Sequence, residues 1–187
     1  MKFAKVIRSI TVAPMMAAAM LVVLFLLKLP PDVATLHLAL ALLFLTVLPL
    51  LAYPLQRFIP GYKDKGRDGQ RSLAMLFAVG GYILGCVVSF IRKAPWDVAF
   101  IYIAYLLSGV LVTISNKLLK LRASGHACGV TGPIVLLIHF GVPAMLPGII
   151  LAAAVWWASL KMKRHTVAQL VGGTAIPLIA VIIMNMI

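Results

Sequence analysis

Negative charge is nearly missing from this sequence: four acidic residues stand against 17 lysines and arginines, for a net charge of +13. In a soluble protein that imbalance would point to nucleic acid. No basic domain stands apart from the apolar runs and the loops are short, so nucleic acid is not an expected partner. Anionic lipid headgroups or a phosphorylated substrate fit better. Cysteine is also scarce: Cys86 and Cys128 lie far apart in sequence and read as free thiols. With the cysteines and histidines so dispersed, no metal-ligand spacing appears, and no metal or other cofactor is expected. A Gly-Lys-Ser/Thr phosphate loop and a dinucleotide fingerprint are both lacking. Polar residues inside the apolar runs are few (Thr46, Ser89, Ser108, Thr113 and His139), too few to line a solute pathway.

Apolar residues dominate instead, at 63% with a mean hydropathy of +1.09. A soluble domain of this size cannot hide so much apolar surface. Lipid is the sensible solvent, because a helix satisfies its own backbone there. The sequence therefore predicts an all-α, polytopic transmembrane helix bundle forming one integral membrane domain, residues 1–187. Spans are predicted at about 10–28, 34–53, 73–91, 98–116, 126–141, 146–160 and 166–187. Seven is the expected count, or six if the short fifth and sixth runs, separated by Gly141-Val142-Pro143, form one unit. The first run follows Lys2, Lys5 and Arg8 and superficially resembles a signal peptide, but reads as a membrane helix. Trp156 and Trp157 read as interfacial anchors.

With seven spans, 14 of the 17 cations fall on the N-terminal face, and Lys28, Arg92 and Lys93 on the other. The positive-inside rule then puts the N-terminus and three basic loops in the cytoplasm, at the cell (inner) membrane. The loop cations are a weaker guide if they bind phosphate, which leaves the N-terminal trio as the independent indicator.

Those three loops are the candidates for chemistry. The first, 61–72, carries Lys65, Arg67 and Arg71, and arginine's planar fork fits phosphate oxygens in pairs. In the second, 120–129, Ser124 and Gly125 precede an apolar run, so Ser124 reads as an N-cap. His126 sits in the first helical turn, where an anion is favoured and a proton can be given to a leaving oxygen. The third, 161–169, carries Lys161, Arg164 and His165, with Gln169 one turn on. A histidine held by a side-chain acceptor keeps one tautomer and leaves its other nitrogen nucleophilic. Ordinary positive-inside loops, helix caps and interfacial histidines are the competing readings of each segment taken alone.

The runs Arg122-Ala123-Ser124-Gly125-His126 and Arg164-His165-Thr166-Val167-Ala168-Gln169 resemble the type 2 phosphatidic acid phosphatase superfamily. The phosphatase-like core spans roughly 57–187. The family's membrane members dephosphorylate lipid phosphates without metal, through a phosphohistidine. Its motifs are Lys-x6-Arg-Pro, Pro-Ser-Gly-His and Ser-Arg-x5-His-x3-Asp. The resemblance implies His165 as nucleophile, His126 as general acid, Ser124 and Gly125 as a phosphate cradle, and Arg71 as the first-motif arginine. Departures are plain. No lysine stands seven residues before Arg71, and Arg67 and Arg122 are substitute cations. The arginine expected six residues before the nucleophile is Ser159, leaving Lys161, Lys163 or Arg164 to supply its charge. The aspartate is Gln169, which fixes a tautomer but carries no charge. The implied activity is hydrolysis of phosphatidic acid, phosphatidylglycerophosphate or an isoprenyl (di)phosphate. A non-catalytic lipid-phosphate binder or transporter is the alternative.

Overall fold

The computed structural model describes residues 1–28 and 31–186, apart from the side chains of 31–34. Every regular element among them is helical: α1 (Lys2–Ile10), α2 (Ala13–Lys28), α3 (Pro31–Leu42), α4 (Leu48–Leu55), α5 (Gly66–Ile91), α6 (Trp96–Lys117), α7 (Gly125–His139), α8 (Met145–Lys161) and α9 (Val167–Met186). A π-helical turn, Leu43–Val47, joins α3 to α4. Pro49 has no N–H for the carbonyl four residues before it. The Leu48 N–H reaches back five residues to the Leu43 carbonyl instead.

Four stretches are long and apolar enough to cross a membrane: Thr35–Phe58, α5, α6 and α9. The α1–α2 pair, bent by 54°, makes a fifth if counted as one span. These helices are compatible with an integral membrane protein. The predicted spans 126–141 and 146–160 are α7 and α8, of 15 and 17 residues. At 1.5 Å per residue they reach about 22 and 25 Å, short of a hydrocarbon core of about 30 Å. Length therefore supports four to five spans, against the seven that hydropathy predicts. Residue 187, the end of the last predicted span, lies outside the described residues.

The predicted first span also divides. Thr11 ends α1, its hydroxyl donating to the Ile7 carbonyl at 2.7 Å, and α2 begins after it. α1 is strongly amphipathic. Ala4 is buried and Arg8 and Thr11 also face the protein, while Lys2 and Lys5 are exposed. That spacing of four and three residues is one helical face.

Side chains of α2, α6, α7 and α9, among them Leu21, Phe25, Ile101, Leu136 and Val181, pack into one core. Lipid is as apolar as these side chains, so close contact has to do the work that water does elsewhere. Two glycines set how closely the elements around α7 approach one another. A Cβ on Gly129 of α7 would run into Ala13, and one on Gly173 of α9 would run into the Ser124 carbonyl. The first lets the α1–α2 corner lie on α7; the second lets α9 touch the loop before α7.

Gly173→Ala should therefore destabilise by about 1–3 kcal/mol through overpacking. Gly80→Ala, whose Cβ meets nothing within 4 Å, should be neutral or stabilising by up to about 1 kcal/mol from helix propensity. Thermal unfolding in detergent compares them; equal shifts would contradict this packing.

Candidate functional site

The loop after α6 ends in the predicted cap. Ser124 is fully buried and its hydroxyl accepts from the Ala127 N–H at 3.2 Å. Its own N–H donates to the Gln169 carbonyl at 2.8 Å, which ties this loop to the first turn of α9. Asn116 adds a bond to the Ala123 carbonyl at 3.3 Å. The starts of α7 and α9 are thus fastened side by side, and with them His126 and His165.

α9 opens with a reciprocal cap. Gln169 Oε1 accepts from the Thr166 N–H, and Thr166 Oγ1 accepts from the Gln169 N–H, both at 3.3 Å. This is a capping box with glutamine as its acceptor. The same Oε1 lies 3.1 Å from His165 Nδ1. A carbonyl oxygen only accepts, so Nδ1 carries the proton and Nε2 keeps the lone pair. Gln169 thus fixes the tautomer that a nucleophilic Nε2 requires.

His126 is oriented from the opposite end of the chain. Its Nε2 lies 3.1 Å from Thr11 Oγ1. The Thr11 hydroxyl spends its only proton on the Ile7 carbonyl, so it accepts from His126 Nε2–H, and Nδ1 is the basic atom. Three residues before Thr11, Arg8 donates from Nη1 to Ser159 Oγ at 2.6 Å. Neither Thr11 nor Arg8 was a predicted site residue. Their contacts join positions 115 and 151 residues apart, which no local pattern encodes.

A cavity of about 1090 Å³ opens among these groups. Its mouth is lined by Arg8, Arg67, Arg71, Lys163, Arg164 and Asp68, with Gly125, His126 and His165. It runs inward past Cys128 and Gly132 to Tyr105, Leu136 and Val181. From His126 to Leu136 is about 15 Å along α7, at 1.5 Å per residue. The Tyr105 hydroxyl at this inner end is buried without a hydrogen-bond partner among the described residues. A guest with an acceptor there would relieve a penalty of about 1–3 kcal/mol.

Not every predicted residue lines the cavity. Arg67, Arg71, Gly125, His126, Arg164 and His165 do, whereas Lys65, Arg122, Ser124, Lys161 and Gln169 do not, Gln169 reaching it only through His165. Lys65 lies over the Tyr62 ring, 5.7 Å from its centre. Arg122 is exposed, on a turn with φ of 51°. The Ser124 hydroxyl is used by its cap. Among the described residues no group of three His, Cys, Asp or Glu side chains is placed to hold a metal. Trp156 donates to Thr174 Oγ1 at 3.1 Å, and Trp157 packs on Phe3. Both tie helices together.

Electrostatics follows from this crowding. Burial, then the positive charges of Arg8 and His165, pushes the His126 imidazole down to about 4. The His165 pKa is lowered by burial and by Arg8, Arg71 and Arg164, against the opposing hydrogen bond that His165 donates to Gln169. Burial and then Arg164 and Arg71 lower Arg8. Each lowered value reports burial first and nearby positive charge after it, and an anion in the cavity acts in the opposite, raising direction.

His126 should therefore stay neutral in histidine NMR titrations until about pH 4. Saturating inorganic phosphate should move its titration upward, and Thr11→Val should release the Nε2–H tautomer. An unperturbed titration near 6.5, insensitive to phosphate, would contradict this geometry.

Set against known proteins, the chain matches no family model, no curated protein and no solved structure, so the likeness to the phosphatase superfamily rests on the motif residues themselves.

Proposed function

We propose that the chain is a membrane phosphatase that hydrolyses a lipid or isoprenyl phosphate through a phosphohistidine, without metal. One observation carries the reading: two histidines with complementary tautomers share a cavity mouth with five cations and a single carboxylate. A phosphate dianion is the guest that this charge balance calls for. The inner, mostly apolar chamber suits the adjoining hydrocarbon chain.

The residues divide the chemistry between them. His165 Nε2 attacks phosphorus in line, forming a P–N bond as the P–O bond to the lipid breaks. The bound dianion raises the His126 pKa, so that Nδ1 gains a proton and gives it to the departing oxygen. Arg71 and Arg164 face the equatorial oxygens, where charge gathers in the transition state. Water then attacks the phosphohistidine and returns its proton to His126. Inorganic phosphate leaves, and His165 Nε2 regains its lone pair.

Topology fits the same reading. α7 and α8 form a hairpin through Gly141, whose φ is 72°. A hairpin returns the chain to the face it left whether it crosses the bilayer or turns within it. The second and third motif loops therefore share a face with seven spans or with five.

A non-catalytic lipid-phosphate binder is favoured by one feature: Gln169 is neutral and already engaged in a helix cap. Phosphate release from dioctanoyl phosphatidic acid by detergent-purified protein separates the two. The hydrolase reading expects release that His165→Ala abolishes and His126→Ala slows by about 10²–10⁴-fold. Release unchanged in His165→Ala rejects the histidine mechanism. Phosphate binding without release leaves the binder.

A further inference from the structure

We infer that Arg8, on the N-terminal helix, is a phosphate-binding cation of this site and that Ser159 is the seat that positions it. The inference rests on the proposed phosphate handling and names a part that the three motif loops leave out. Ser159 stands where the resembled family carries an arginine, six residues before His165. Of the cations near it in sequence, Lys161 does not line the cavity, whereas Lys163 and Arg164 do. At Ser159 itself the guanidinium arrives from across the fold.

The seat is well defined. Ser159 is fully buried, and its hydroxyl donates to the Val155 carbonyl at 2.7 Å. The Ser159 oxygen is therefore left to accept, and Arg8 Nη1 fills it at 2.6 Å. The Ser159 carbonyl also accepts from the Arg164 N–H at 3.0 Å, so one residue organises two of the mouth's arginines. Arginine has five N–H donors. One goes to Ser159, and Arg8 lines the cavity beside His126, His165 and Arg164.

α1 is held firmly enough to present this group. Ala4 is buried, Phe3 packs on the Trp157 ring, and Thr11 bonds His126. Arg8 lies between these anchors on the same face. Its charge is felt by both histidines. Arg8 is half-buried among other cations, with Arg71 and Arg164 close enough to perturb it. A lysine snorkelling to headgroups would take the opposite course, as exposed Lys2 and Lys5 do. The burial of Arg8 serves an anion brought to it.

The test uses the full chain in detergent, with dioctanoyl phosphatidic acid as substrate and orthovanadate as a phosphate mimic. Arg8→Ala should lower kcat/KM by about 100-fold or more, the usual loss for one transition-state donor, and weaken vanadate binding. Arg8→Lys should recover part of the loss. The swap Arg8→Ala with Ser159→Arg should recover more, by returning a guanidinium to the same space. Added guanidinium ion should partly rescue Arg8→Ala if the swap does not fold. Lys5→Ala, on the exposed face of α1, should change neither quantity. Arg8→Ala within twofold of wild type in both turnover and vanadate affinity overturns the role of Arg8, even where His165→Ala is dead and the hydrolase reading stands. Vanadate binding that needs Arg8, in a protein that releases no phosphate, keeps Arg8 and discards the hydrolase. No vanadate binding by the wild-type chain discards both.

Discussion

Like charges do not gather without a reason, and the cavity mouth gathers Arg8, Arg67, Arg71, Lys163 and Arg164 around one aspartate. Burial, and then mutual repulsion, lowers the pKa values of His126, His165 and Arg8. Folding opposes it by fastening the groups through hydrogen bonds that themselves carry no charge. Ser159 holds Arg8 by its hydroxyl and the Arg164 backbone by its carbonyl. Gln169 holds His165, Thr11 holds His126, and the Ser124–Gln169 backbone bond holds the two loops together. The energy of packing keeps an electrostatically unfavourable site in place until an anion enters, which is preorganisation in a physical sense. In the proposed function, this scarcity of counter-charge is what selects a phosphate over a neutral solute.

Much of this site was legible because its parts are local. Ser124-Gly125 before an apolar run is a helix start whatever the rest of the chain does, and the cap is there. His165 and Gln169 are four apart at another helix start, and their contact needs one turn of backbone only. What the spacing alone did not reveal is that Gln169 also closes a capping box with Thr166, a structural duty that accounts for its side chain without catalysis.

The illegible part is tertiary. Arg8 and Thr11 enter the site because α1 bends away from α2 and lies against α8, while the corner at Thr11 reaches His126 of α7. Read along the sequence, Lys2, Lys5 and Arg8 were one basic cluster; in the fold the first two are exposed and the third is turned inward. Arg8 therefore leaves the set of charges that report topology independently of the site, and only Lys2 and Lys5 remain in it. The spacing of Ala4, Arg8 and Thr11 on one helical face was a usable signal, because a guanidinium sharing a face with a buried alanine needs a partner. Lys65, Arg122 and Lys161 lie outside the cavity lining for the converse reason: residue type suited them to phosphate, which says nothing of where the fold places them. Hydropathy likewise found α7 and α8 and their shortness but counted them as full spans, since apolarity marks a helix without fixing where it turns.

A structure determined with orthovanadate bound puts the histidine chemistry to its sharpest test. The phosphohistidine mechanism predicts vanadium bonded to Nε2 of His165, with the arginines of the mouth on its equatorial oxygens and His126 Nδ1 facing the apical oxygen opposite. Vanadate bound through Nδ1 of His165, or held at the exposed loops with the cavity mouth unchanged, would contradict it.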